Sequence, residues 1–88
     1  MEFEKLKKDL EEIEYVEKID IEKTDETVLI TVIDIAEDFF ELSGIEYFTA
    51  RKSMIKEIFT AFSNNNIKIE KEEFEDNDTY FYIVSYLY

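Results

Sequence analysis

The 88 residues carry 23 acidic against 10 basic side chains, a formal net charge of −13 at pH 7, and include no Cys, His or Pro. Such charge opposes direct binding to nucleic acid or an anionic membrane. The missing Cys and His remove disulfides, thiolate chemistry, the commonest metal ligand and the usual neutral-pH general base. A hydrophobic share of 45%, with eight Phe and six Tyr, exceeds what a disordered chain carries and suffices for one small core.

Phe3, Leu6, Leu10 and Ile13 recur at helical spacing among Glu and Lys, which predicts an amphipathic helix over about 2–14. Its second half is acidic (Asp9, Glu11, Glu12, Glu14) and opposes the helix dipole. In Val16–Lys23, Ile19 and Ile21 alternate with Lys18, Asp20 and Glu22, the pattern of a half-buried strand whose charges suit a sheet edge. A short turn, Thr24–Glu26, leads into Thr27–Ile35. There Val28, Ile30 and Val32 point to one face and Leu29, Ile33 and Ile35 to the other, so this strand belongs in the middle of a sheet.

Ala36–Gly44 has two readings. Phe39, Phe40 and Leu42 form either a short helix ended by Gly44 as its cap, or a further strand over Phe39–Ser43; the helical turn is preferred. A second helix is predicted over Tyr47–Ser63. Phe48, Ile55, Ile58, Phe59 and Phe62 form its apolar stripe, Arg51, Lys52 and Lys56 a locally basic surface, and Asn64–Asn66 its stop. Ile67–Glu73 is another one-faced strand, followed by a turn at Glu75–Asp78. The last strand sets Tyr80, Tyr82, Val84, Tyr86 and Tyr88 against Phe81, Ile83, Ser85 and Leu87.

The order is α-β-β-α-β-β, read as a single domain over 1–88 with two αββ halves, about 1–36 and 45–88. Ile19-Asp20-Ile21-Glu22-Lys23 recurs as Ile67-Lys68-Ile69-Glu70-Lys71, and the same offset sets Leu6 on Met54, Leu10 on Ile58 and Ile13 on Ala61. Duplication and chance resemblance both account for this. Putting both two-faced strands inside gives an α+β two-layer sandwich. Its four-stranded antiparallel sheet carries two helices on one face, a ferredoxin-like fold with its first strand moved to the C-terminus.

The other face of that sheet would present Val28, Ile30, Val32, Tyr80, Tyr82, Val84 and Tyr86 as a contiguous apolar and aromatic patch. Three readings are open: a homodimer formed by stacking two sheets, contact with a different protein, or cover by Ala36–Ile45 folded across the face. An aromatic nucleic-acid platform is rejected on charge.

No catalytic, cofactor or metal motif is present, so the chain reads as non-enzymatic, cytoplasmic and without cofactor. Asp34–Asp38 and Glu70–Asp78 could offer oxygen to a hard cation, but neither carries the spacing of a calcium loop. Two acidic sets are the candidate partner-binding residues: Glu11, Glu12, Glu14 and Glu17 near the N-terminus, and Glu70, Glu72, Glu73, Glu75, Asp76 and Asp78 near the last turn. Carboxylates on a rigid scaffold can imitate a row of phosphates before a basic protein. In size, acidity and abundance of Ile, Lys, Glu, Asn, Phe and Tyr, the chain resembles phage-encoded inhibitors such as anti-CRISPR and other DNA-mimic proteins. This resemblance of general character implies a basic, nucleic-acid-handling target. With a strand at Phe39–Ser43, the element order would resemble the type III secretion chaperone fold, which implies an acidic homodimeric chaperone or adaptor holding a polypeptide on its apolar surface.

Overall fold

β-branched residues on both faces of Val28–Ile35 favour extended backbone, and in the computed structural model of the protein this segment is an inner strand, β2. The structure describes residues 3–76 and 79–87, and the side chains of all of these except 70–76. Around β2 lie helix α1 (Glu4–Glu11), strand β1 (Val16–Lys23), helix α2 (Gly44–Asn64) and strands β3 (Ile67–Asp76) and β4 (Tyr80–Leu87). All three strand pairings are antiparallel and the order is β1-β2-β4-β3. That is the order of a ferredoxin-like sheet whose first strand has moved to the C-terminus, as the alternation of apolar residues implies.

Register explains the core. Ile19, Ile33 and Phe81 align across three strands, and Ile21, Thr31 and Ile83 form the next row. These rows face Leu6 and Leu10 of α1 and Met54, Ile58, Ala61 and Phe62 of α2, and together they make one buried cluster beneath both helices. Each fully buried large side chain contributes about 1.5–3 kcal/mol through loss of apolar surface to water. The repeated positions match in burial: Leu6 and Met54, Leu10 and Ile58, Ile13 and Ala61, and Ile19 and Ile67 are all in the core.

Two hydroxyls interrupt this apolar layer. Ser85 donates a long hydrogen bond of 3.4 Å to the Leu29 carbonyl, while the fully buried Thr31 Oγ1 has no partner.

Both helices differ in extent from the sequence expectation. α1 stops at Glu11, where the Ile13 N–H tightens onto the Leu10 carbonyl (3.1 Å), and Tyr15 reverses the chain with φ 73°. The acids crowding that end, against the helix dipole, favour the early stop; Glu2 lies outside the described residues. α2 begins three residues before Tyr47, at Gly44 with φ 59°, a left-handed conformation that strains any residue with a side chain. Gly44 therefore opens α2 and does not cap the segment before it. That segment is a 3-10 turn, Glu37–Glu41, so the alternative strand over Phe39–Ser43 is absent.

At its other end α2 stops as the asparagines predict. Asn66 has φ 59°, and the Asn65 side-chain amide donates to the Ala61 carbonyl (2.7 Å) and to Asp9 Oδ2 (2.9 Å) of α1. The Asn65 hydrogen bond is the main reason that Asp9 ionises below the usual carboxylate range, with Lys5 adding to it.

β3 is irregular. Ile69 faces Ser85 but Phe74 faces Ile83, so five residues of β3 advance against two of β4. No helix among the described residues is long and apolar enough to cross a membrane.

Candidate protein-binding surfaces

The ends of the strands decide where the acids gather. Val16 pairs with Ile35, the Ile35 N–H donates to the Thr79 carbonyl, and Phe81 pairs with Asp76. The start of β1, the end of β2, the start of β4 and the end of β3 therefore share one end of the sheet. α1 runs back along β1 through a short link, which brings its C-terminus to the same end. Glu11, Glu12, Glu14 and Glu17 are all exposed there.

The second predicted set divides. The backbone of Glu75 and Asp76 reaches this end on the opposite edge, about 15 Å across three inter-strand spacings. Glu70, Glu72 and Glu73 fall in the irregular part of β3, farther along that edge. The side chains of Glu70, Glu72, Glu73, Glu75 and Asp76 lie outside the described residues, as does Asp78 altogether.

Acids that sequence reasoning passed over complete the group. Tyr15 packs edge-on against Phe39, with ring centroids 5.4 Å apart. Burial raises the Tyr15 phenol above its ordinary pKa, and the carboxylates of Glu14, Asp38 and Glu46 push it further in the same direction. Three acids from three elements thus converge on one phenol: the α1–β1 link, the 3-10 turn and the first turn of α2. Glu46 had a local signal, since an acid in a first helical turn complements the dipole. Its proximity to Glu14 is tertiary and leaves no trace in spacing.

The second candidate surface is the sheet face turned away from the helices. Val28, Ile30 and Val32 stand in register with Tyr86, Val84 and Tyr82, followed by Asp34 beside Tyr80. Tyr80 is exposed and the other six predicted face residues are half-buried. Lys18, Asp20 and Glu22 of β1 rim one side, and Lys68 of β3 extends the Tyr86 row on the other. The segment 36–45 does not cross this face, contrary to one of the sequence readings. Phe39 is fully buried on the helix side, against Tyr15 and against Tyr47 at 5.0 Å. In a 3-10 turn adjacent residues diverge by about 120°, so burying Phe39 turns Phe40 outward.

A third apolar surface was not anticipated. Ile45 is 84% and Phe48 70% exposed, with Phe40 at 43%. Phe48 is therefore not part of the buried stripe of α2, which consists of Met54, Ile58, Ala61 and Phe62, with Ile55 and Phe59 half-buried beside it. Tyr47 takes the inward position against Phe39, and the next residue, about 100° round the helix, faces outward. Arg51 is likewise no free surface cation. Its Nη1 donates to the Tyr47 hydroxyl at 3.2 Å, and its guanidinium lies 5.7 Å from the Phe81 ring centre. Lys52 and Lys56 are exposed.

Among the described residues, no three acids are placed to hold a metal ion. No protein-family model matches the chain, and comparison with curated proteins and with solved structures returns no match.

Proposed function

We propose that this chain is a non-enzymatic binding module whose acidic pole occupies the basic surface of a nucleic-acid-handling protein in the cytoplasm. The observation that supports this reading is the convergence of Glu14, Asp38 and Glu46 on Tyr15, with Glu11, Glu12 and Glu17 exposed around them. Carboxylates from the α1–β1 link, the 3-10 turn and α2 thus act together as one cluster of negative charge. Their summed field steers a cationic partner and repels nucleic acid itself. The lack of cysteine suits a reducing compartment.

The test is a tagged chain incubated with a bacterial lysate, eluted in salt steps and then with duplex DNA. A basic DNA-binding protein released by either, and lost when Glu14 and Glu46 are both changed to Lys, supports the reading. Capture that resists 1 M salt and ignores DNA overturns it, because screened charges cannot hold such a complex.

The uncovered face of Val28, Ile30, Val32, Tyr82, Val84 and Tyr86 favours a second reading, an acidic homodimer or adaptor joined through the sheet. Without a strand at Phe39–Ser43 it draws no support from the chaperone resemblance. Under it, light scattering finds a dimer that Tyr82→Asp with Tyr86→Asp converts to a monomer. A wild-type monomer across the micromolar range rules that dimer out.

A further inference from the structure

We infer that the groove along α2, bounded by α1 and by the link from α1 to β1, receives the apolar side of a basic amphipathic helix, an assignment that rests on the acidic-pole reading and specifies which part of the partner is read. Two depressions make the groove. One, of about 440 Å³, runs from Tyr15 and Ile45 along α2 to Ser53; the other, of about 560 Å³, continues from Ser53 between the helices to Asn64.

The floor is apolar at the Tyr15 end, with Tyr15 and Leu42 half-buried, and small but more polar from Ser53 to Asn64. Ala50 is half-buried, Ile13 and Ala61 are buried, and Ser53 joins the two halves. Small side chains on a helix let another backbone approach closely and leave room for large apolar residues from the visitor. From Ile45 to Thr60 the groove follows α2 for roughly 22 Å at the α-helical rise, the length of a four-turn helix.

The walls carry net negative charge on both sides. Glu12 and Glu14 come from the α1 side, Glu46 and Glu57 from α2, and Lys56 is the cation among the lining residues. Asp9 also lines the groove but is already held by Asn65 and Lys5. Ile45, with 84% of its surface open to solvent, stands at the mouth. A floor that is apolar at the Tyr15 end, between walls of net negative charge, is complementary to a helix with Leu-type residues at i, i+3, i+4 and i+7 and Lys or Arg flanking them. A row of phosphates or an extended polyanion would be repelled by the same walls.

The probe is a helix-favouring peptide of roughly four turns with Leu at those positions and Lys elsewhere. It is compared with a peptide of equal charge in which every Leu is Ser. We expect the Leu peptide to bind about tenfold more tightly and to shift the backbone amide signals of Thr49, Ala50 and Ser53. Thr49→Arg with Ser53→Arg, both at exposed positions and checked by circular dichroism, should cost at least about tenfold, while Thr24→Arg, at the exposed turn between β1 and β2, leaves peptide binding unchanged. Equal affinity for the two peptides with shifts scattered over the acids would overturn the groove and leave the acidic pole standing. Leucine-dependent binding at Ser53 that is unmoved by 1 M salt would keep the groove and overturn the acidic pole. Shifts confined to Tyr82, Val84 and Tyr86, or no binding of either peptide, would also overturn the groove.

Discussion

Replacing Thr31 with Val should stabilise this protein. Thr31 sits on the inner face of β2, level with Ile21 and Ile83, with no exposed surface and no hydrogen-bond partner for its hydroxyl. On folding, that hydroxyl gives up its water and gains nothing in return, a cost of about 1–3 kcal/mol on the scale of protein substitutions. Valine has nearly the same shape, keeps the β-branch that a central strand favours, and puts a methyl where the orphaned oxygen stood. The expected gain of about 1–3 kcal/mol corresponds to a rise in melting temperature of roughly 5–20 °C for a domain of this size. Urea unfolding followed by circular dichroism is the assay, with the midpoint moving upward and the slope unchanged. Thr31→Ser is the companion variant. It keeps the hydroxyl, loses the methyl and should be less stable than wild type by about 1 kcal/mol. A Thr31→Val variant equal to or weaker than wild type would refute the argument, since it would mean that the hydroxyl gains an interaction on folding.

Other consequences are equally accessible. Phe39→Ala should cost about 3–5 kcal/mol in urea unfolding, because it empties a fully buried position, whereas Phe40→Ala on the exposed side of the same turn should cost far less. With a net charge of −13, the folded state repels itself. Its melting temperature should climb as sodium chloride rises from about 0.1 to 1 M and the screening length falls from about 10 to 3 Å; a flat response would show that self-repulsion is unimportant. Asp9 has a depressed pKa, so its contribution is present above the unfolded value and disappears as pH falls through the folded one. Asn65→Ala should therefore be less stable than wild type at neutral pH, with the gap narrowing in acid to what the hydrogen bond to the Ala61 carbonyl contributes. Tyr15 is the opposite case. Its raised pKa favours the neutral phenol, so its contribution holds below the ordinary tyrosine value and is lost as pH rises through the folded one. In a ¹³C titration Tyr15 should ionise at a higher pH than an exposed tyrosine. Glu14→Gln with Glu46→Gln should lower that midpoint; an unchanged midpoint would place those acids away from the ring.

Features governed by strict alternation were legible in the sequence. Val28 to Ile35 and Tyr80 to Leu87 are apolar on both faces, and that alone put them in the middle of the sheet and Leu29, Ile33, Phe81 and Ile83 beneath the helices. The order of all four strands followed from giving the charged strands the edges. The region from 36 to 48 was less legible, for a geometric reason. A helical stripe says which side of a helix is apolar but not where along its length the helix overruns its support, so Phe48 looked like a core residue. Gly44 reads as a C-terminal cap because left-handed glycine is common there, and the residue type alone cannot say that here its positive φ opens the next helix. The acid sets were visible as composition, yet two of the three acids that act on Tyr15, Asp38 and Glu46, are brought to Glu14 only by the return of the chain through the 3-10 turn.

The uneven pairing of β3 bears on what this acidic molecule avoids. Because five of its residues advance while β4 advances two, the outer rim of β3 cannot offer the evenly spaced N–H and C=O groups that a new strand needs. On the far side, β1 loses register only between Val16 and Lys18, and along the regular stretch that follows, the exposed Lys18, Asp20, Glu22 and Lys23 charge the rim. A sheet rich in Val, Ile and Tyr would otherwise be a ready template for fibrils. Irregular pairing on one rim and charged side chains on the other both oppose strand-by-strand growth, which leaves the sheet face as the easier approach for a second molecule.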